Sequence, residues 1–307
     1  MNLKRFLTVM LTFALFTLCL SATACDSRGR FNKKDNADST ITSNEPQPYP
    51  VIIDSIVIEK SPMEIICLSP ALTEILFEFG AGDRIKGKSE YCDFPLDAKD
   101  IPIIKSGKSF DVEAIIKRSP DLLLLSSPIS EKDKIALERE GIPTVTIPSP
   151  RSLQEFKDVY RAVGLILNGM FIGVEEGESV FSDITLACNN SEAFNLGTFV
   201  YITENMLFAT GDTLESSILS CFGENLAKKA KGYVFDKNTL SDLQPEVVIL
   251  NDIYEIDDLQ KDEVLSELDA VKDGKVILLN NVFFERPSAR ILTLISEMQA
   301  QYYDIAG

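Results

Sequence analysis

Apolar positions in this chain fall into short continuous runs and helically spaced stripes that alternate. Residues 64–68 (Glu-Ile-Ile-Cys-Leu) form an apolar run of strand length, followed at once by Ser69 and Pro70, a capping side chain and a first-turn proline. Leu72, Ile75, Leu76 and Phe79 then recur at helical spacing, Glu74 sits in the favourable first turns, and Gly80-Ala81-Gly82 stops the helix. Strand, cap, helix and stop open an α/β unit. Residues 84–88, 121–125 and 144–147 read as further strands, and 112–118 and 130–140 as helices between them. Pro120 and Gly141-Ile142-Pro143 mark the turns. The run 122–125 does not alternate, as expected of a strand covered on both faces of a parallel sheet.

The pattern then repeats: strand over 198–202, helix over 213–222, strands over 247–250 and 275–279, and a closing helix over 287–303. Between the blocks, 152–189 has no strand signal. Gly177, Phe181, Ile184 and Cys188 keep helical spacing after a break near Gly169. A single helix over 171–189 would be roughly 30 Å long at 1.5 Å per residue, about the breadth of a lobe. The expected fold is therefore two doubly wound α/β lobes, 51–150 and 196–307, joined by linking helices in 151–195, with a long rigid backbone helix limiting the hinge and a ligand cleft between the lobes.

The first 24 residues read as an export signal: Lys4 and Arg5, an apolar run over 6–20, then Ser21-Ala-Thr-Ala24 ahead of Cys25. Lipidation of Cys25 would hold the protein at the membrane, since an acyl chain gains about 0.8 kcal/mol per buried CH₂. Ala22 departs from the Leu usual three residues before a lipidated cysteine, and Ala22-Thr23-Ala24 also suits ordinary signal cleavage, which would leave a free Cys25. A third reading is an uncleaved anchor, because residues 6–24 are just long enough to span a bilayer. All three place the body outside the cytoplasm. Residues 25–50, rich in Asn, Asp, Ser and Pro, read as a flexible tether.

Composition narrows the function. The chain carries a net charge of −17, more negative still without Lys4 and Arg5, so nucleic acid and anionic headgroups are poor partners. Histidine and tryptophan are absent, which removes Ser-His-Asp and Cys-His catalysis and His-based zinc sites. The body cysteines Cys67, Cys92, Cys188 and Cys221 lack metal spacing and read as free thiols in a domain that needs no staples. Gly80-Ala81-Gly82 is no dinucleotide fingerprint, because it follows a helix and position 85 is Ile; no phosphate loop is present. An exported α/β enzyme is thus the rival class, without a nucleophile beside a base. No catalytic residue, metal site or covalent cofactor is expected.

The stretches Ile65–Asp83, Ser89-Glu-Tyr-Cys-Asp-Phe-Pro95, Asp111-Val-Glu-Ala-Ile-Ile116 and Ser119–Leu125 resemble the periplasmic-binding-protein family that serves cobalamin and ferric-siderophore ABC importers. The similarity continues through Phe208-Ala-Thr-Gly211, Cys221–Asn225, Gln244–Leu250 and Phe283-Phe-Glu-Arg286, covering nearly everything after Met63. The resemblance implies two lobes joined by a backbone helix, a ligand between them, and docking of both lobes onto a membrane permease. The 89–95 stretch is most similar to the cobalamin-binding branch. Siderophore and haem receptors share the fold. Haem is less favoured, since without His its axial ligand would be Tyr, Met or Cys.

Clefts in such sheets form beyond the carboxyl ends of the strands. That places Ser69, Glu90, Tyr91, Cys92 and Ser126 on one side and Phe208, Phe284 and Arg286 on the other as candidate ligand contacts. Tyr91, Phe208 and Phe284 offer flat faces to a macrocycle, with core packing as the ordinary alternative, and Arg286 would meet an amide or phosphate oxygen. The family resemblance implies a docking glutamate near a helix start in each lobe. Glu113 matches the first. The second lobe has Asn238 there, with Asp236 two residues away as a substitute. The resulting expectation is a monomeric extracytoplasmic receptor, lipid-anchored at Cys25, that hands a corrinoid to an ABC permease. A siderophore receptor of the same family, or a sensor or scavenger that has lost its transporter, are the alternatives.

Overall fold

Among the described residues the first element is a hairpin that the periodicity does not predict, β1 (Val51–Ile53) paired antiparallel with β2 (Ile56–Ile58). Three-residue strands are too short to show alternation, and the turn at Asp54 and Ser55 takes left-handed φ at both residues (47° and 66°), as a two-residue hairpin turn requires. The computed structural model describes residues 47–104, 111–189 and 194–306. The export segment, Cys25 and the tether up to residue 46 lie outside the described residues. Residues 48 and 49 already belong to the fold: the Pro48 carbonyl accepts from the Met170 amide at 2.9 Å, and Tyr49 Oη donates to the Ile166 carbonyl at 2.9 Å. No helix among the described residues is long and apolar enough to cross a membrane.

The first lobe follows as β3 (Ile65–Cys67), α1 (Pro70–Glu78), β4 (Ile85–Lys88), α2 (Val112–Arg118), β5 (Leu122–Leu125), α3 (Glu131–Arg139) and β6 (Thr144–Thr146). Its four strands are parallel in the order β4-β3-β5-β6. The helices start where capping residues stand: Ser69 accepts from Leu72 N, Asp111 from Ala114 N and Ser130 from Asp133 N. All of Leu122–Leu125 is buried, Leu122 and Leu124 in one core layer and Leu123 and Leu125 in another, so the strand is covered on both faces.

Next come α4 (Leu153–Val180) and α5 (Ser182–Asn189), then the second lobe: β7 (Thr198–Ile202), α6 (Leu214–Leu219), β8 (Glu224–Asn225), α7 (Leu240–Leu243), β9 (Val247–Asn251), α8 (Ile256–Gln260), α9 (Asp269–Lys272), β10 (Val276–Leu279), α10 (Val282–Glu285) and α11 (Ile291–Ala306). Its parallel order, β10-β9-β7-β8, repeats that of the first lobe, with the second strand beside the first and the third crossing to the other side. The closing helix starts at Ile291, later than the expected 287, because residues 286–290 make contacts of another kind, described below.

The link between the lobes is a helical hairpin. Within α4, Gly169 leaves helical geometry (φ 76°, ψ −177°), and the chain folds back on itself there. Arg161 pairs with Glu178 and Asn168 with Glu176 across the two arms, while Phe181 N bonds to Gly177 O and Thr185 N to Phe181 O, so the second arm runs on into α5. The long helix expected over 171–189 is this second arm. The arms cross where Gly164 faces Gly173: a Cβ on Gly164 would lie 2.0 Å from the Gly173 carbonyl oxygen, and one on Gly173 would lie 2.5 Å from that of Gly164. Gly164→Ala therefore forces the arms apart. The expected cost is about 1–3 kcal/mol, as for other overpacked sites, read as a lowered thermal midpoint.

One core layer runs without a break from Ile65, Ile75 and Leu122 in the first lobe, through Phe156, Tyr160 and Phe181 of the hairpin, to Phe199, Ile249 and Leu294 in the second. Phe156, Tyr160 and Phe181 meet edge to face with centroids 5.0–5.5 Å apart. Because both lobes share this layer, hinge motion must deform packed side chains.

Candidate functional site

The carboxyl ends of the two sheets face a cavity of about 680 Å³. The first lobe contributes Ser126 after β5 and Pro148–Arg151 after β6. The second contributes Asp212–Glu215 at the start of α6, Gly232 and Tyr233, and Asn281, Phe284 and Glu285 after β10. A volume in the range of small-molecule sites, bounded by both lobes, fits one compact ligand.

Its polar lining is dominated by acceptors. Glu215 is buried, and burial pushes its carboxyl above the usual carboxylate range even though Tyr233 Oη donates to it at 3.0 Å. Burial, and then the same carboxylate, drive the Tyr233 phenol well up. Asp212 is held low by donors from Thr210 Oγ1 (2.7 Å) and Gly232 N (3.0 Å), and so stays ionised. Thr210 Oγ1 also receives the Tyr233 amide at 3.1 Å, which fixes the turn that presents the Tyr233 ring. Asn281 accepts from Tyr201 Oη at 3.1 Å and donates to Glu285 at 3.1 Å. Arg151 is the cation lining this cavity, against the three carboxylates of Asp212, Glu215 and Glu285.

Beside the cavity the lobes are joined by a polar seam. Ser288 Oγ donates to Glu74 Oε2 at 2.5 Å and Arg290 to Glu74 Oε1 at 3.0 Å; Ala289 N donates to Glu78 Oε1 at 2.8 Å, and Tyr160 Oη to Glu78 Oε2 at 2.5 Å. The Arg290 guanidinium lies over Phe94 at 4.6 Å and Phe283 at 5.2 Å, and Arg286 pairs with Asp93 at 2.7 Å. Burial pushes both Glu74 and Glu78 upward in pKa despite these donors. The 89–95 stretch thus bridges the lobes through Asp93 and Phe94.

Of the candidate contacts, Ser126 and Phe284 line the cavity; Phe284 is mostly buried, with its ring tilted against Tyr201 at 5.9 Å. Four others need correction. Cys92 is buried, with Sγ taken by Thr73 Oγ1 (3.2 Å) and Ser89 Oγ (3.1 Å), because its loop folds back onto α1. Phe208 is a core residue packed edge to face on Phe235. Ser69 spends its hydroxyl on the α1 cap and is 1 % exposed; it lines a separate narrow crevice with Ser126 and Pro287 and not the cavity. Arg286 is engaged by Asp93 across the seam instead of pointing at a ligand. Glu90 and Tyr91 are exposed after edge strand β4 and are not among the residues lining the cavity. Sequence reasoning missed Arg151, Asp212, Glu215, Tyr233 and Glu285. The end-of-strand rule, applied to Ile147-Pro148 after the fourth strand and to the Thr213 cap, would have reached the first three.

Glu113 is exposed in the first turn of α2, and Asp236 is exposed at the start of the turn leading into α7. The two stand at equivalent places, before the third strand of each sheet. Asp236 already accepts from Asn238 N (3.0 Å) and Nδ2 (2.8 Å).

Two like α/β lobes thus share a core and face a cavity with a built polar lining. Residues 65–186 match the family described as periplasmic binding protein. The chain is 24% identical over 290 residues to YvrC of Bacillus subtilis, named as an uncharacterized ABC transporter substrate-binding lipoprotein, covering 89% of this chain and 91% of that one. It is 25% identical over 259 residues to the vitamin B12-binding protein of Vibrio parahaemolyticus, covering 81% and 93%. A possible iron-binding periplasmic solute-binding protein from Staphylococcus epidermidis shares the fold, with a TM-score of 0.65, 20% identity and coverage of 81% and 100%. The match to the periplasmic binding protein family covers 65–186, and the likeness to the solved structure covers the fold of both lobes.

Proposed function

We propose that the protein is the substrate-binding component of an ABC importer and that its cleft takes a corrinoid. The observation that carries the ligand class is the cavity's imbalance of Asp212, Glu215 and Glu285 against Arg151 alone. A corrin ring is fringed with amide N–H donors, which carboxylates accept, whereas haem propionates and catecholate siderophores bring negative charge into a negative cleft. Tyr233 is also ill placed to bind haem iron as phenolate, because the buried Glu215 beside it disfavours a second negative charge. The ring faces of Tyr233 and Phe284 supply flat contact for a macrocycle. The vitamin B12-binding relative supports the same ligand class, and the proposal includes an extracytoplasmic body held by a lipid on Cys25.

Calorimetric titration of cobalamin into the purified protein is expected to give micromolar or tighter binding. No heat with cobalamin, together with a clear response to a ferric siderophore, would move the protein to the sister ligand class. In the docking part of the proposal, Glu113 pairs with a permease cation. Glu113→Ala should leave cobalamin affinity unchanged and weaken delivery by about 2–5 kcal/mol of interface energy, seen as loss of transport-linked ATPase stimulation by the permease. An equal loss in both assays would count against docking. Intact mass of the exported protein, showing a diacylglycerol increment on Cys25 or its absence, tests the anchor.

A further inference from the structure

The turn of the helical hairpin presents apolar side chains to solvent. Met170, Phe171, Ile172 and Val174, at the start of the second arm of α4, are 39–55 % exposed. Val174 shares a helix face with Met170 and Phe171, four and three positions before it. Residues 162–174 carry no charged side chain, in a chain that is 25% charged. The hairpin closes without these four, through Gly164 against Gly173. Single exposed apolar residues are ordinary, but a clustered patch marks a surface that meets a partner.

The patch stands where the chain enters the fold. The Pro48 carbonyl accepts from the Met170 amide, and a Cβ on Gly169 would lie 2.6 Å from that carbonyl oxygen. It also stands on the side away from the cleft. Ser61 Oγ donates to the Leu167 carbonyl at 2.6 Å and accepts from Arg84 at 3.2 Å, just ahead of β4. The Met63 and Glu64 amides donate to Asp121, just ahead of β5, at 2.9 and 3.2 Å. The turn of the hairpin therefore packs at the amino ends of the first-lobe strands, whereas the cavity lies beyond their carboxyl ends, at Ser126 and Pro148.

From this placement we propose, on the Cys25 anchor put forward above, that Met170, Phe171, Ile172 and Val174 rest on the bilayer that holds the anchor, so that the waiting receptor turns its cleft away from the membrane. Residues 26–46, read as a tether, would give a flexible chain an r.m.s. reach of roughly 25 Å. The side where the tether enters then meets the bilayer far more often than the cleft side, and the tether raises the effective concentration of a contact too weak to hold alone. Aromatic and aliphatic side chains of this kind settle at the boundary of headgroups and acyl chains. Glu175 and Glu176 follow the patch in a chain of net charge −17, so the surface that fits is zwitterionic lipid. Helix α2 ends at Asp121 on the amino-end side, so Glu113 at its start faces away from the bilayer in this pose. Docking on a permease through Glu113 requires the body to lift off and turn over, which makes the patch a resting contact.

The chain has no tryptophan, so Phe171→Trp supplies a single reporter. The exported full chain carrying it is reconstituted in phosphatidylcholine vesicles with brominated acyl chains. Its emission should shift to the blue and be largely lost, whereas Ile253→Trp, exposed beyond the carboxyl end of β9, should keep its emission. Adding Met170→Asp and Ile172→Asp to the first reporter should restore emission at an unchanged thermal midpoint, because neither side chain belongs to the core. If intact mass shows no acyl chain on Cys25, a histidine tag ahead of residue 25 and a nickel-chelating lipid supply the tether, the chain having no histidine of its own. The patch is then read apart from the anchor. Full emission from Phe171→Trp in the tethered protein, equal quenching of both reporters, or quenching that survives the two aspartates would each overturn the proposal. So would a lipid-free dimer that the two aspartates break, which would assign the patch to a second copy.

Discussion

Arg290→Met is expected to lower the free energy of unfolding by about 3–5 kcal/mol, the usual cost of removing one partner from a buried ion pair. Glu74 is 2 % exposed and depends on Arg290 and Ser288 for compensation, so the loss leaves a charge that water does not reach. Two ring contacts disappear as well, Phe94 and Phe283, each of about 0.5–1 kcal/mol. Glu74→Gln should cost less, because Arg290 is partly exposed and recovers hydration while Ser288 keeps an acceptor. Denaturant titration at neutral pH separates the two variants; a deficit below about 1 kcal/mol for Arg290→Met would show that the seam does not hold the lobes.

The same variant carries a pH signature. Glu74 and Glu78 have folded pKa values raised above the ordinary glutamate value of 4.5, chiefly by burial. The folded state therefore binds protons more tightly than the unfolded chain. The favourable linkage is fully present below the unfolded pKa and is lost as pH rises through the folded one. Removing Arg290 takes away a cation that lowers Glu74, so its raised value rises further. The stability deficit of Arg290→Met should then shrink as pH falls from neutral toward about 4.5, where Glu74 is neutral in the variant.

Most of the scaffold was legible because it rests on local signals. Ser69-Pro70, Asp111 and Ser130 mark helix starts through their own caps, and the unbroken Leu122–Leu125 run marks a strand covered on both sides. Three-residue β1 and β2 and two-residue β8 lack the length for a period, so they stayed invisible. The site was harder to read because its members depend on contacts between residues far apart in sequence. Arg286 looked like a ligand hook until Asp93, 193 positions away, took its guanidinium; Glu74 looked like an ordinary first-turn acid until Ser288 and Arg290 closed on it. Cys92 and Phe208 follow strands, as cleft residues do, but their loops turn inward, and the turn direction is set by tertiary packing that sequence order does not carry.

Tyr233→Ala should weaken corrinoid binding by about 30- to 150-fold, the loss of roughly 2–3 kcal/mol typical of an aromatic anchor. The substitution removes a flat face from the cavity and strips Glu215 of its phenol donor at 3.0 Å. Tyr233→Phe keeps the face and removes only the donor, so it separates the two roles. Its affinity should fall less, and its pH dependence should shift, because Tyr233 is one of the groups that lower the Glu215 pKa against the burial that raises it. An ionised Glu215 accepts an amide N–H through a charge-assisted bond, and a protonated one accepts only through its carbonyl oxygen and more weakly. Affinity for cobalamin should accordingly decline as pH falls through the raised Glu215 pKa, and in Tyr233→Phe the decline should begin at higher pH. An anionic ligand such as haem would show the reverse, gaining affinity as the cleft loses negative charge. Cobalamin titrations of the three proteins from about pH 7.5 down to about pH 5 therefore read both the anchor and the charge preference; affinity that rises on acidification in all three would rule out carboxylate acceptors as the basis of ligand choice.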